Sequence, residues 1–160
     1  MAFDGFLKLD GITGESQDKV HQGEIELSTF SWGASTGFGL ISVVGARPVV
    51  QDFTFTVGAS APAPQLLARL ASGQHIPNAV LSLRKAGGAT AKAPVDYMKI
   101  KMTDAVVSGF KTTGNTGDDV PSIEVALNFA SIEIDYYPIA ADGSVGTAIT
   151  GTLVHRPQGG

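Results

Sequence analysis

The sequence of 160 residues contains no cysteine, and only 16% of its residues are charged. The lack of cysteine excludes a disulfide scaffold, thiol catalysis and cysteine-ligated zinc. An average soluble domain has roughly 25% charged residues, so this chain has little charge to keep separate copies apart. The formal net charge of −4 argues against nucleic acid as a partner, because nucleic-acid binding requires a basic surface.

The chain also lacks the apolar segments that membranes and the general export route require. No apolar run approaches the roughly 18–20 residues of a membrane span, so membrane insertion is not expected. Residues 1–5 (MAFDG) form neither a basic region nor an apolar one, so we expect no signal peptide. The length predicts one domain over residues 1–160, and about ten residues at its glycine-containing C-terminus are candidates for disorder.

Alternation of apolar and polar residues dominates the sequence. Phe53, Phe55 and Val57 alternate with threonines, which is typical of a strand with one buried face. The same pattern predicts strands over residues 6–9, 24–32, 53–57, 79–83, 97–102 and 123–136. Turn-forming clusters of Gly, Ser, Thr and Asp separate these runs, and regularly spaced strands of this kind favour an antiparallel sandwich or barrel.

Two of the predicted strands change the phase of their alternation. The apolar positions shift from odd to even near Ser28-Thr29, and again near Ala130-Ser131. A β-bulge at each point would restore the register and bend the strand. We therefore predict an all-β fold, a small bent antiparallel β-barrel or sandwich of two sheets.

One segment follows a helical pattern instead. Leu66, Leu67 and Leu70 share one stripe between Pro64, which suits a first helical turn, and Gly73, which suits a left-handed stop. The fold is thus predicted to carry one short α-helix of two to three turns.

The matches to catalytic motifs are weak. Residues 33–37 fit the G-x-S-x-G nucleophile pattern around Ser35, and residues 16–19 fit S-x-x-K. Neither has the companion motifs or the following helix that its chemistry needs. The three histidines have no metal-ligand spacing, and Asp118-Asp119 sits in a turn sequence. We therefore predict no catalytic residues, no metal site and no cofactor.

Several segments resemble one protein family. The longest is the N-terminal block, in which Phe6-Leu7-Lys8-Leu9-Asp10-Gly11-Ile12 is followed by Gly14-Glu15-Ser16, Asp18, His21 and Gly23-Glu24-Ile25-Glu26. Further matching segments lie at residues 30–33, 50–56, 64–67, 73–76, 125–133 and 142–144. Together they resemble the Hcp family, the haemolysin-coregulated proteins that form the tube of the bacterial type VI secretion system.

This resemblance implies a non-enzymatic structural subunit. Hcp-like proteins form homo-hexameric rings that stack into a hollow tube, which is fired by a contractile sheath and carries or chaperones effectors in its lumen. The implied partners are further copies of the chain, the spike protein at the tube tip, the sheath, baseplate components and lumen-bound effectors. The implied location is the bacterial cytoplasm before firing, and then the medium or a target cell.

Two sets of residues are candidates for contacts between copies. The first is an unusually apolar loop over residues 35–46, which would expose a sticky patch and is a candidate for ring stacking through Phe38, Leu40, Ile41, Val43 and Val44. Alternatively, that loop folds back over its own barrel. The second set is a candidate ring contact, with a structural turn as the alternative: Glu15, Ser16, Asp18 and His21.

Two other classes of function stay open at this point. A small all-β binding module, for carbohydrate or a surface, would need an aromatic-rich concave patch, and the chain has one Trp and three Tyr. An effector enzyme such as a hydrolase would depend on the weak serine motifs.

Overall fold

The computed structural model of the protein describes residues 3–36, 48–85, 95–142 and 144–155. Within them the chain forms nine strands and one helix, in the order β1 (Phe3–Leu9), β2 (Ile25–Leu27), β3 (Thr29–Thr36), β4 (Pro48–Gly58), α1 (Pro62–Ser72), β5 (Ile76–Lys85), β6 (Asp96–Thr113), β7 (Ser122–Asn128), β8 (Ser131–Tyr136) and β9 (Ile149–Val154). The predicted all-β fold with one short helix is confirmed. No helix among these residues has the length and apolar character needed to cross a membrane.

The strands form two antiparallel sheets that share β6. The first sheet has the order β2-β1-β5-β6-β8-β9, and the second has the order β6-β7-β4-β3. β6 is 18 residues long, and its first half pairs in the first sheet while its second half pairs in the second. Asp104, at the point of transition, has a φ of 53°, a left-handed conformation that helps the strand to turn.

The two phase changes in the sequence mark places where the chain passes from one sheet to the other. β2 pairs with β1 in the first sheet, and after Ser28 the chain continues as β3 beside β4 in the second. After Phe129 and Ala130 the chain likewise leaves the second sheet as β7 and enters the first as β8. The predicted positions are therefore right, but the chain turns a corner there rather than forming a bulge in one continuous strand. The β2–β3 corner also closes the barrel, since these strands lie at opposite ends of the path β2-β1-β5-β6-β7-β4-β3.

The alternating residues of both sheets meet in one core. Phe53 and Phe55 of β4, which define the clearest period-two run, are both fully buried. Burying a side chain of this size stabilises the fold by about 2–3 kcal/mol. The other large side chains that are buried in this core include Leu7, Ile25, Leu66, Ile76, Leu81, Ile100, Met102, Leu127 and Phe129.

The helix differs from its prediction at its start and on its face. α1 begins at Pro62, earlier than expected, and the preceding Ala61 offers no side-chain cap. Its end is as predicted, because Gly73 adopts a left-handed φ of 70°. Leu66 is fully buried, whereas Leu67 is 48% exposed, so the buried face of the helix is narrower than the predicted stripe of three leucines.

Candidate functional site

The loop between β1 and β2, residues 10–24, folds back on itself through its own main chain. The Gly14 N–H donates to the Gly23 carbonyl over 2.8 Å, and the Ser16 N–H donates to the Glu24 carbonyl over 3.0 Å. Gly14 passes so close to the main chain of Glu24 that no side chain fits there. Gly23 turns the chain with a φ of 77°, which favours glycine. The glycines of the N-terminal block therefore have a structural reason.

Side chains of this block complete the turn. The buried Ser16 hydroxyl accepts a hydrogen bond from the Asp18 N–H at 3.2 Å. One carboxylate oxygen of Asp18 accepts the N–H groups of Val20 and His21, each at 3.1 Å. This is the local side-chain-to-main-chain bonding that Asp and Ser provide in turns.

The second carboxylate oxygen of Asp18 ties the loop to β5. It lies 2.5 Å from Nη2 of Arg84, while Arg84 Nε lies 3.5 Å from a carboxylate oxygen of Asp4 in β1. The hydrogen bond from Arg84 lowers the pKa of Asp18 to about 2, with further help from the two main-chain N–H donors against the effect of burial. The Arg84 guanidinium also lies over the ring of Phe6, 4.7 Å from its centroid.

His21 ties the loop to β6 and is only 4% exposed. Its Nδ1 lies 3.1 Å from the Glu24 carboxylate, and its Nε2 lies 3.0 Å from the Asp96 carboxylate. Its ring stacks on Phe6 with the centroids 4.6 Å apart and the planes at 10°. Burial lowers the pKa of His21, but the hydrogen bonds to Asp96 and Glu24 outweigh it, so that the pKa is raised overall.

The four residues predicted as a ring contact or a turn thus occupy different environments. Ser16, Asp18 and His21 are joined by hydrogen bonds within the loop, whereas the side chain of Glu15 is exposed. Glu15 borders a cavity of about 220 Å³ whose lining also includes Glu26, Ile25, Val57 and Pro62. A role of these residues in a ring contact stays a prediction.

The predicted stacking residues Phe38, Leu40, Ile41, Val43 and Val44 lie outside the described residues. The structure does correct where the predicted loop over residues 35–46 begins. Ser35, taken as the first residue of a loop, lies in β3, which continues to Thr36. The segment between β3 and β4 therefore begins at residue 37, two residues later than predicted.

The structure brings together a Ser–Asp–Asn–His cluster that the sequence analysis missed. The Ser108 hydroxyl donates to Asp52 at 2.6 Å, and Asn128 donates to the other oxygen of Asp52 at 2.9 Å. His155 contacts Asn128 rather than the serine, with a separation of 3.5 Å. A nucleophilic serine is activated by an adjacent general base, in the common triads a histidine, and here the hydroxyl is bonded to the carboxylate instead. Among the described residues no group of three or more His, Asp or Glu side chains is arranged to hold a metal ion.

Arg84 and Asp96 are the charged partners of Asp18 and His21, and sequence reasoning did not single them out. Each is an outward-facing charged residue of a strand, which is ordinary in an antiparallel sheet and carries no signal by itself. They lie opposite one another in the β5–β6 register. That register brings both within reach of the β1–β2 loop.

The fold and this loop define the class of the protein: a small antiparallel barrel of two sheets with one helix, whose β1–β2 loop is fastened to the sheet by ion pairs. Residues 6–136 match the family described as "Type VI secretion system effector, Hcp". Protein hcp1 of Pseudomonas aeruginosa is 38% identical over 147 residues, which are 90% of this chain and 89% of hcp1. The chain therefore belongs to the Hcp family of the type VI secretion system.

Solved structures share the whole fold. The crystal structure of Hcp1 from Salmonella typhimurium superposes with a TM-score of 0.75 at 32% identity, and covers 96% of this chain and 95% of its own. A type VI secretion system effector from Yersinia pestis superposes with a TM-score of 0.74 at 26% identity, over 95% of this chain and 100% of its own. The resemblance inferred from the N-terminal block is confirmed.

Proposed function

We propose that this protein is the structural subunit of a type VI secretion tube. Six copies close into a ring, the rings stack into a hollow tube, and the tube is expelled from the cell. The observation that carries the proposal is the family match, which spans residues 6–136 and so runs from within β1 to the end of β8. The N-terminal block on which the resemblance rests is part of that match.

A ring requires contacts between different surfaces of neighbouring copies, repeated until the rotation closes. The barrel offers suitable surfaces, because β3 and β9 each pair with one strand among the described residues. Neither strand contains a charged residue or a proline, the usual devices that protect a free edge from association. Ile149 and Val154 of β9 are 64% and 68% exposed. These edges support assembly with further copies.

The composition supports the same proposal. A chain with 16% charged residues leaves much of its surface without the charge that keeps monomers dispersed. Subunits of a ring and of a stack bury surface on several sides, and the low charge suits such burial. Ring stacking is assigned to Phe38, Leu40, Ile41, Val43 and Val44, on the strength of their apolar character.

The other partners follow from a role as a tube. They are the spike at the tip, the contractile sheath around the tube, baseplate components and effectors carried in the lumen. The protein would reside in the bacterial cytoplasm before firing and be delivered to the medium or a target cell afterwards. Its role would be structural rather than enzymatic. The bonding of Ser108 to Asp52, away from His155, supports this assignment.

The mass of the purified protein in solution tests the ring. Size-exclusion chromatography with light scattering should give six times the 16.5 kDa of one chain, and negative-stain images should show closed rings. A strict monomer at high protein concentration would refute the ring and favour a binding module instead.

Ring stacking is tested separately with F38D, L40D and I41D. These variants should keep the mass of the ring but lose stacked rings in images, and lose secretion from cells. The matched control is T113D with T116D, since both threonines are exposed near the β6–β7 turn. If the aspartate variants stack and are secreted like the wild type, the assignment of this segment is wrong.

A further inference from the structure

The β1–β2 loop covers Phe6 on the outer face of the first sheet. Gly5, Leu7 and Leu9 of β1 face inward, so Phe6 faces outward, yet Phe6 is only 2% exposed. The His21 ring and the Arg84 guanidinium lie against it. The loop therefore has a small packing surface of its own, separate from the main core.

The protonation state of His21 follows from its neighbours. A carboxylate can only accept hydrogen bonds, and each ring nitrogen faces a different carboxylate. Both nitrogens must therefore carry a proton, and the ring is an imidazolium. A neutral ring would leave one nitrogen lone pair directed at a carboxylate, in a site where little water can intervene.

The charged groups around His21 come from each neighbouring element. The loop provides Glu24 and Asp18, and β6 provides Asp96. β5 provides the cation Arg84, which is already paired with Asp18 and with Asp4 of β1. Among the ion pairs of the described residues, loss of the His21 proton would leave these four carboxylates with Arg84 as the one cation bound to them. The like charges of Glu24 and Asp96 would then no longer be bridged.

The β1–β2 loop is bonded to both strands that flank the connection between β5 and β6. Arg84, near the end of β5, and Asp96, at the start of β6, face each other in register at the base of the segment that joins the two strands. Asp18 binds the first and His21 binds the second. The two bonds fasten the loop to both strands at that base.

We propose that the β1–β2 loop is a proton-operated clamp. With His21 doubly protonated, the loop is closed over Phe6 and holds β5 and β6 together at the base of their connection. When His21 loses a proton, its ring can donate to only one of Glu24 and Asp96, the two carboxylates are no longer bridged, and the loop opens while the barrel stays folded.

The sign of the pH dependence is fixed by the raised pKa of His21. In an open loop His21 would titrate near the ordinary value of about 6.5. The closed state is therefore favoured fully below that pH, and the advantage declines as the pH rises through the pKa of the closed state. Between these two values the opening constant should rise about tenfold per pH unit.

Two measurements on the full chain test the clamp together. NMR titration of the imidazole gives the pKa of His21, and hydrogen exchange between pH 6 and 9 gives protection factors for the Gly14, Ser16 and Glu24 amides. The protection should fall by about tenfold for each unit by which the NMR value exceeds 6.5. Amides of the central strands β4 and β7 should keep their protection throughout.

The variants separate His21 from other titrating groups. H21Q keeps a polar side chain without a titrating ring, and the protection of its loop should be low and independent of pH. The matched control is H75Q, because His75 also faces a carboxylate, that of Asp104, but is exposed. H75Q should reproduce the wild-type profile.

Three results would overturn the clamp: a His21 pKa at or below about 6.5, loop protection that is equal at pH 6 and pH 9, or an H21Q profile that follows the wild type. Should H21Q fail to fold, the NMR titration and the exchange profile of the wild type decide the question without it.

Discussion

A methyl group at Gly14 should destabilise the protein strongly, although it changes neither charge nor polarity. Gly14 does not have a positive φ, so alanine could adopt its backbone conformation. The added Cβ would overlap the Glu24 carbonyl oxygen and lie 2.5 Å from the carbonyl carbon and 2.8 Å from the Ile25 nitrogen. All three are main-chain atoms, and they cannot move aside as the end of a side chain could.

The size of the expected destabilisation follows from the main-chain shift that would be needed to remove the clash. Real Cβ contacts below 3.0 Å essentially do not occur, so the loop or the start of β2 must shift. Overpacking of this kind costs about 1–3 kcal/mol, and a clash with main chain belongs at the upper end. The shift would also move Glu24, which binds His21. We expect G14A to lower the free energy of unfolding by about 3 kcal/mol, or the melting temperature by roughly 6–12 °C.

Urea unfolding followed by fluorescence measures this loss. Trp32 is the single tryptophan, and it packs against Phe129 in the core, so its emission reports unfolding of the barrel. Protein concentration should be equal for all variants, since assembly contributes to apparent stability. The control is G117A, whose Cβ would meet only Asn115, at 3.8 Å. G117A should stay within about 0.5 kcal/mol of the wild type, and the same result for G14A would refute the steric argument.

Three further outcomes are expected. L66A should lose about 2–5 kcal/mol in urea unfolding, because Leu66 is fully buried, whereas L67A should lose less than about 0.5 kcal/mol because Leu67 is 48% exposed; equal losses would contradict the described helix face. G73A should cost about 1 kcal/mol, since its φ of 70° is unfavourable for alanine, and a neutral result would argue against the left-handed cap. Because the pKa of Asp18 is lowered to about 2, its carboxylate stabilises the fold above about pH 3.8, and this stabilisation is lost as the pH falls towards 2. D18N should therefore be less stable than the wild type by about 1–2 kcal/mol at pH 6 and by little at pH 2. A difference in urea unfolding that stays constant across this range would contradict the bond between Asp18 and Arg84.

The sequence predicted the strands well where alternation was strict. The runs around Phe53–Phe55 and Ile123–Leu127 lie in β4 and β7 with their apolar residues buried, since alternation alone decides which face of a half-buried strand turns inward. For β6 the alternation predicted a strand that ends at Met102, whereas the strand continues to Thr113. Its alternation breaks at Asp104 and again near Ser108, where the register shifts. A local pattern cannot show that one strand serves two sheets.

The site was only half accessible to sequence reasoning. Ser16, Asp18 and His21 stood out because they belong to one contiguous block, and in the structure hydrogen bonds join these three residues within the loop. Arg84 and Asp96 did not stand out, because they are isolated charges on distant strands. His21 and Asp96 are 75 positions apart, and no spacing rule connects residues over such a distance.

By itself, the sequence determined the class of fold, the family, the position of the sheet corners and the left-handed end of the helix. These features depend on neighbouring residues: alternation, a phase change, a contiguous motif and a glycine with the right flanks. Only the tertiary structure decided how the corners join two sheets, and which carboxylates surround His21. Both depend on strand register, which arises when the whole barrel buries its core, and which brings the charges of the loop, β5 and β6 together.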